Sequence, residues 1–142
     1  MKGLKFLIAL VFVFWGCKVD NSVAPLSYVI EGQYQYSGFN LNSTLCTFGK
    51  INLVLNDSTI SGNRNIQGID TVNSQDIEIG VGNISGFMYS DSTFYIYLDS
   101  SIPAILLTGK FSNGVIQGPR IFENGARPNP PVIGYYTLIK EI

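Results

Sequence analysis

Asp76 and Glu78 stand two residues apart in Asp76-Ile77-Glu78-Ile79, a spacing that makes two carboxylates neighbours on one strand face. Paired carboxylates are the acid–base machinery of glycoside hydrolysis. Here Ile77, Ile79 and Val81 alternate with Asp76, Glu78 and Gly80, so the pattern predicts a strand whose carboxylates face solvent and whose aliphatics are buried. No histidine occurs among the 142 residues. That removes the commonest general base, the Ser-His and Cys-His nucleophile systems, and the commonest ligand for zinc, copper and iron. Cys46, between Leu45 and Phe48 at the start of an expected strand, has no adjacent base and reads as a small buried apolar residue. No EF-hand spacing, phosphate loop or metal cluster is present. The expectation is a protein that is not an enzyme and carries no metal or cofactor.

The candidate binding residues are aromatic and basic. Tyr34, Tyr36, Tyr89, Tyr95, Tyr97, Tyr135 and Tyr136 could stack on a carbohydrate or an aromatic ligand, although strands favour tyrosine for packing alone. Asn124 to Pro131 holds Pro128, Pro130 and Pro131, which fix φ and exclude ladder bonding, so it reads as a stiff loop between the last two strands. Arg127 lies within it and Arg120 near it, and they could offer positive charge at a barrel mouth; the alternative is that both stay solvated. Tyr34, Tyr36, Arg120 and Arg127 therefore form the candidate set for a small apolar ligand.

Charge excludes a further class. With Lys2 and Lys5 removed in a leader, seven Lys and Arg remain against ten Asp and Glu. Nothing forms the basic stripe that a nucleic-acid partner requires.

Lys2 and Lys5 open the chain, and Phe6 to Trp15 is an unbroken apolar run, the shape of a secretory signal peptide. The run is shorter than the roughly 18 to 20 residues a helix needs to cross a bilayer. After Cys17 the residues turn polar, with Lys18, Asp20, Asn21 and Ser22. Phe14-Trp15-Gly16-Cys17 resembles the lipobox of bacterial lipoproteins, in which a small residue precedes the cysteine that receives the lipid. Gly16 and Cys17 match it, while Phe14 and Trp15 stand where that family prefers Leu and a small residue. Ser22-Val23-Ala24 offers the alternative, an ordinary small-x-small cleavage site. The resemblance implies a membrane partner through lipid on Cys17, and Lys18, in place of a retention Asp, implies the outer membrane. The organisation is a signal peptide over 1–16, a lipidated tether over 17–27 and one domain over 28–142.

From Tyr28 onward, short apolar–polar alternations are cut by Gly, Asn, Asp and Ser, with no sustained 3.6-residue period. Tyr34 and Tyr36 share a face against Gln33 and Gln35; Ile51, Leu53 and Leu55 share another. Asn56-Asp57-Ser58 and Gly82-Asn83 read as turns, and Asn113-Gly114 is the strongest hairpin signal, because a type I′ turn needs positive φ at both positions. Ile60-Ser61-Gly62, Ile84-Ser85-Gly86, Leu107-Thr108-Gly109 and Ile116-Gln117-Gly118 each place Gly two residues after an aliphatic, as sharp coiling or close backbone approach would require. Asp57-Ser58-Thr59, Asp70-Thr71-Val72 and Asp91-Ser92-Thr93 resemble a bacterial O-glycosylation acceptor motif and are also ordinary turn material.

Consecutive short strands joined by tight hairpins leave unpaired edges, which closure removes. The expected fold is all-β, an antiparallel up-and-down meander barrel of about eight strands, with a β-sandwich as the runner-up. Gly32-Gln33-Tyr34 on the first strand resembles the Gly-x-Trp start of the lipocalin and avidin-like group, with Tyr34 in place of Trp. That resemblance implies a lipocalin-like barrel that holds a small apolar ligand. The functional expectation is a membrane-anchored, non-catalytic binding or accessory lipoprotein of the cell envelope, with a small apolar ligand or an envelope protein as partner. The alternative is a structural or interaction lipoprotein whose barrel is filled.

Overall fold

A computed structural model of the chain describes residues 30–69, 77–89, 92–99, 101–125 and 128–142. Eight strands follow one another: β1 Gly32–Asn40, β2 Leu45–Asn56, β3 Thr59–Gly68, β4 Gly80–Met88, β5 Thr93–Tyr97, β6 Ala104–Ser112, β7 Val115–Glu123 and β8 Val132–Lys140. Each pairs antiparallel with the next, and β1 pairs with β8 from Tyr34–Lys140 to Asn40–Gly134, which closes an up-and-down barrel. Closure leaves no strand edge to template aggregation. The expected fold class is therefore the observed one, and the sandwich is not.

Turn chemistry sets the register at one end, here called the lower end. Asn113 and Gly114 have φ of 51° and 78° and join Ser112 to Val115 across a two-residue turn. Positive φ at both positions defines type I′, whose twist matches that of the flanking strands. Asp57, at φ 55°, begins the turn between Asn56 and Thr59. Ile30 tucks into the same end, where its carbonyl accepts a 2.6 Å hydrogen bond from the Tyr34 hydroxyl. At the opposite, upper end lie the end of β1 and start of β2, the end of β3 and start of β4, the end of β5 and start of β6, and the end of β7 and start of β8.

Period-two alternation sorts each strand into an inner and an outer face. Tyr34 and Tyr36 on β1, Ile51, Leu53 and Leu55 on β2, Ile60 and Ile66 on β3, Phe94 and Ile96 on β5, Leu107 on β6, Ile116 on β7 and Tyr136 and Leu138 on β8 are buried in one core cluster. Outward lie Gln33, Gln35, Lys50, Asn63, Asn65, Gln67, Asn83 and Ser85, and with them exposed Phe48, Val54, Val81, Phe87, Tyr95 and Ile139. The glycine repeat falls on the inner face, as its spacing predicts. A Cβ on Gly62, Gly86 or Gly118 would collide with the backbone oxygen of Asn52, Tyr95 or Thr108 on the adjacent strand. These positions let neighbouring backbones approach closely as the sheet curls shut.

Two expectations fail around β4. Gly82-Asn83 is not a turn: β4 runs unbroken from Gly80 to Met88, with Gly82 opposite Arg64 and Asn83 opposite Asn63 on β3. The glycine is there for space, since a Cβ on it would sit 3.1 Å from the Arg64 guanidinium. The faces of the preceding segment are also inverted. Ile77 and Glu78 form a turn rather than a strand, Glu78 is 0% exposed, and Val81 is 80% exposed. Alternation predicted the opposite because local pattern cannot register a charge partner that arrives from across the barrel.

Candidate functional site

Two arginines point inward near the upper end, one from β3 and one from β7. In Ile60-Ser61-Gly62-Asn63-Arg64 and Ile116-Gln117-Gly118-Pro119-Arg120, the same face that carries the aliphatic and the glycine then carries the arginine. Both arginines are 3% exposed. A buried guanidinium must find an anion or several carbonyls, because its desolvation is otherwise uncompensated. Glu78 meets the demand of both.

Its side chain crosses the lumen from the turn before β4. The Tyr36 hydroxyl on β1 donates to Oε2 at 3.0 Å, the Thr47 hydroxyl on β2 donates to Oε1 at 2.6 Å, and Arg120 Nη2 donates to Oε1 in an ion pair. Arg120 Nη1 reaches the Phe39 carbonyl at 3.1 Å and Cys46 Sγ at 3.3 Å. Cys46 is half-buried and donates its thiol to the Gly38 carbonyl at 3.2 Å. Arg120 Nε has no hydrogen-bond partner among the described residues.

Arg64 holds the same turn by its backbone. Its Nη1 donates to the carbonyls of Glu78 and, at 3.1 Å, Gly80; its Nη2 donates to Ile77 at 3.4 Å and lies 3.6 Å from Asp99; its Nε donates to the Leu98 carbonyl. Ile77 packs partly buried against the core cluster. Residues 77–80 therefore form a stopper in the upper mouth, fixed by one arginine through its carboxylate and by the other through its peptide carbonyls.

Electrostatics follow from burial. Desolvation alone would lower the Arg120 guanidinium, but Tyr36, Glu78 and Cys46 beside it outweigh that effect and raise it, so it stays charged. Tyr36 is pushed well above the usual tyrosine range, first by burial and then by the Glu78 carboxylate, with Arg120 and Thr47 opposing. Burial pushes Tyr34 up to about 12 and raises Tyr136, whose hydroxyl donates to the Thr108 carbonyl at 3.1 Å.

A pH dependence results. In the unfolded chain these phenols lose their protons near pH 10, while in the barrel they keep them, so above pH 10 the folded state binds more protons than the unfolded one. Stability contributed below pH 10 is then lost as pH rises through the folded values. Between pH 10 and 12 unfolding should be base-driven, and in the ultraviolet absorbance of tyrosinate the signal of Tyr34, Tyr36 and Tyr136 should appear only with loss of structure. A single smooth titration of all tyrosines with the fold intact would contradict the inward placement of Tyr34, Tyr36 and Tyr136.

The expected binding set is divided by the structure. Tyr34 and Tyr36 share the inner face, but the Tyr34 hydroxyl serves the lower end and the Tyr36 hydroxyl the upper. Arg120 is brought to Tyr36, though as a buried strut on β7 rather than a solvated residue of the proline-bearing loop. Cys17, Arg127 and Asp76 lie outside the described residues. Glu78, expected on a wet face, is the residue that sequence reasoning missed; two inward arginines demanding a counter-ion were the available signal.

Tyr89, Tyr95 and Tyr135 are exposed. Phe87, Tyr89 and Tyr95 meet edge to face on the wall of β4 and β5, with centroids 5.2 and 5.6 Å apart. On the opposite wall Pro119, Tyr135, Phe39 and Leu45 are successive cross-strand partners from β7 through β8 and β1 to β2. A groove of about 390 Å³ lies there, lined by Phe39, Gln117, Gly118, Tyr135, Tyr136 and Thr137. Among the described residues no group of three His, Cys, Asp or Glu is placed to hold a metal ion.

These features define a closed eight-stranded antiparallel barrel whose inner face carries a buried apolar cluster and, towards the upper end, buried Thr47, Arg64, Glu78 and Arg120. Comparison of the chain with protein-family models, curated proteins and solved structures returns no match.

Proposed function

We propose that the chain is an accessory lipoprotein of the bacterial cell envelope, tethered by lipid on Cys17, whose resting barrel is filled and which meets its partners with its outer wall. The observation that carries the filled reading is the inner face: Tyr34, Tyr36, Phe94 and Tyr136 are each at most 1% exposed, and the three tyrosine hydroxyls are bonded to protein groups. Ligand pockets bury their ligand against side chains that are accessible without it; these side chains already bury one another. The outer row of Pro119, Tyr135, Phe39 and Leu45, with Tyr135 half exposed, supplies apolar area for a protein partner.

The closed meander, together with Gly32-Gln33-Tyr34 at the start of β1, supports assignment to the lipocalin and avidin-like group. The charged start, the apolar run and Gly16-Cys17 support the anchor, and Lys18 supports the outer membrane. One acyl chain binds only marginally at about 0.8 kcal/mol per buried methylene, so the several chains of a mature bacterial lipoprotein would hold the domain permanently.

Detergent phase separation of the expressed protein tests the anchor. The wild type should enter the detergent phase and Cys17→Ser the aqueous phase; a serine variant that still partitions with detergent, or a mature terminus other than residue 17, overturns it. Native mass spectrometry of the delipidated domain tests the filled barrel separately. A mass equal to the bare chain is expected, and a small molecule retained stoichiometrically in repeated preparations would favour the ligand-carrying alternative.

A further inference from the structure

The arrangement around Glu78 is poorly explained as a stability device. Replacing a buried ion pair by apolar residues of similar volume is often neutral or stabilising, so a salt bridge in a small core is weak evidence that stability is its purpose. The donors and the acceptor also differ in kind. Tyr36, Thr47 and Arg120 come from β1, β2 and β7, strands joined through β8 at the closure of the barrel. Their acceptor comes from a turn on the far side, outside any strand. Three rigid donors thus converge on a carboxylate carried by the least regular part of the site.

The fit is incomplete. Arg120 holds Glu78 through Nη2 alone, while Nε, buried and adjacent on the same guanidinium, has no partner among the described residues. A carboxylate free to choose its approach can bridge Nε and Nη2 side-on, the bidentate geometry that guanidinium favours. We infer that the Tyr36–Thr47–Arg120 cradle is an anion site for a short apolar monocarboxylate, and that Glu78 is its built-in competitor. The stopper itself specifies the ligand chemistry: Glu78 presents a carboxylate to the cradle and Ile77 an aliphatic body to the core. A branched short-chain acid carries both features in one molecule.

A tethered competitor acts at an effective concentration in the millimolar range. The site is therefore closed at low ligand and yields only when free carboxylate rivals that concentration, at which point residues 77–80 leave the mouth. This goes beyond the reading above and does not rest on the anchor. It also predicts that a purified domain carries nothing into the mass spectrometer, because so weak a ligand is lost on dilution.

The test is rescue of the vacated cradle by 3-methylbutanoate. Glu78→Ala should melt below wild type, and tens of millimolar 3-methylbutanoate, about the effective concentration it replaces, should raise its Tm by about 3–6 °C. The neutral 3-methylbutanamide and the cation 3-methylbutylammonium should not. Wild type should move by less than about 1 °C, and the Glu78→Ala/Arg120→Met double variant should not respond. In wild type the same acid should speed amide exchange at residues 77–80 several-fold. Equal response to acid and amide, or an undiminished response without Arg120, overturns the inference. If Glu78→Ala does not fold, Glu78→Gln takes its place in the same assay. Should neither fold with or without the acid, unchanged exchange at 77–80 in wild type overturns it as well, and accelerated exchange confined to that segment supports it.

Discussion

Arg120→Met should lower the unfolding free energy by about 3–5 kcal/mol, and adding Glu78→Met should return most of the loss. The single change leaves the Glu78 carboxylate 0% exposed without its cation, still donated to by Tyr36 and Thr47. Two neutral hydroxyls cannot offset the removal of a full charge from water. The double variant removes both charges and fills the volume with thioether chains that adapt to irregular space. Urea unfolding of the four proteins closes the cycle. The prediction requires a large coupling energy at a nearly constant m-value, since the loss resides in the native state. A cycle that adds within about 0.5 kcal/mol would mean that the two side chains do not share one buried site.

That pair marks the boundary of what could be read from residues alone. The alternations of Tyr34 with Tyr36 and of Ile51 with Leu53 and Leu55 specify their inner faces without outside help, because on a half-buried strand the apolar set must go inward. Asn113-Gly114 is equally legible, since few dipeptides accept positive φ twice. The barrel follows from these elements and from the need to hide two edges. Failure begins at Ile77 to Asn83. There the residue pattern obeys strand alternation, yet the turn is turned over so that Glu78 can answer Arg64 and Arg120, which lie 14 positions before it and 42 after. Local periodicity carries no information about pairing at that distance. The inward arginines could have exposed the error: each continues an aliphatic–glycine–arginine series on a face that burial had already claimed. A cation on such a face calls for an anion on another segment.

Arg64→Met is expected to act on the stopper more than on the barrel. Arg64 donates to the carbonyls of Ile77, Glu78, Gly80 and Leu98, so its guanidinium is the backbone partner of the whole turn. Hydrogen bonds to a charged donor are worth roughly 1.5–3 kcal/mol each in favourable cases, but the carbonyls released here sit at the mouth, where water can reach them if the turn lifts. Their loss is therefore partly recoverable, and the net cost should be about 2–3 kcal/mol. It should not spread evenly. Amides of residues 77–82 should exchange far faster than in wild type, while those of β1, β7 and β8, whose ladders do not include Arg64, keep their protection. Methionine keeps an unbranched, adaptable chain on the inner face of β3, so the effect isolates the charge. Uniform acceleration across all eight strands would show instead that the turn is an integral part of the core, with no separate opening. Localised acceleration would establish that the upper mouth opens while the closed sheet beneath it stays intact, a separation of stabilities that any exchange of Glu78 for another carboxylate requires.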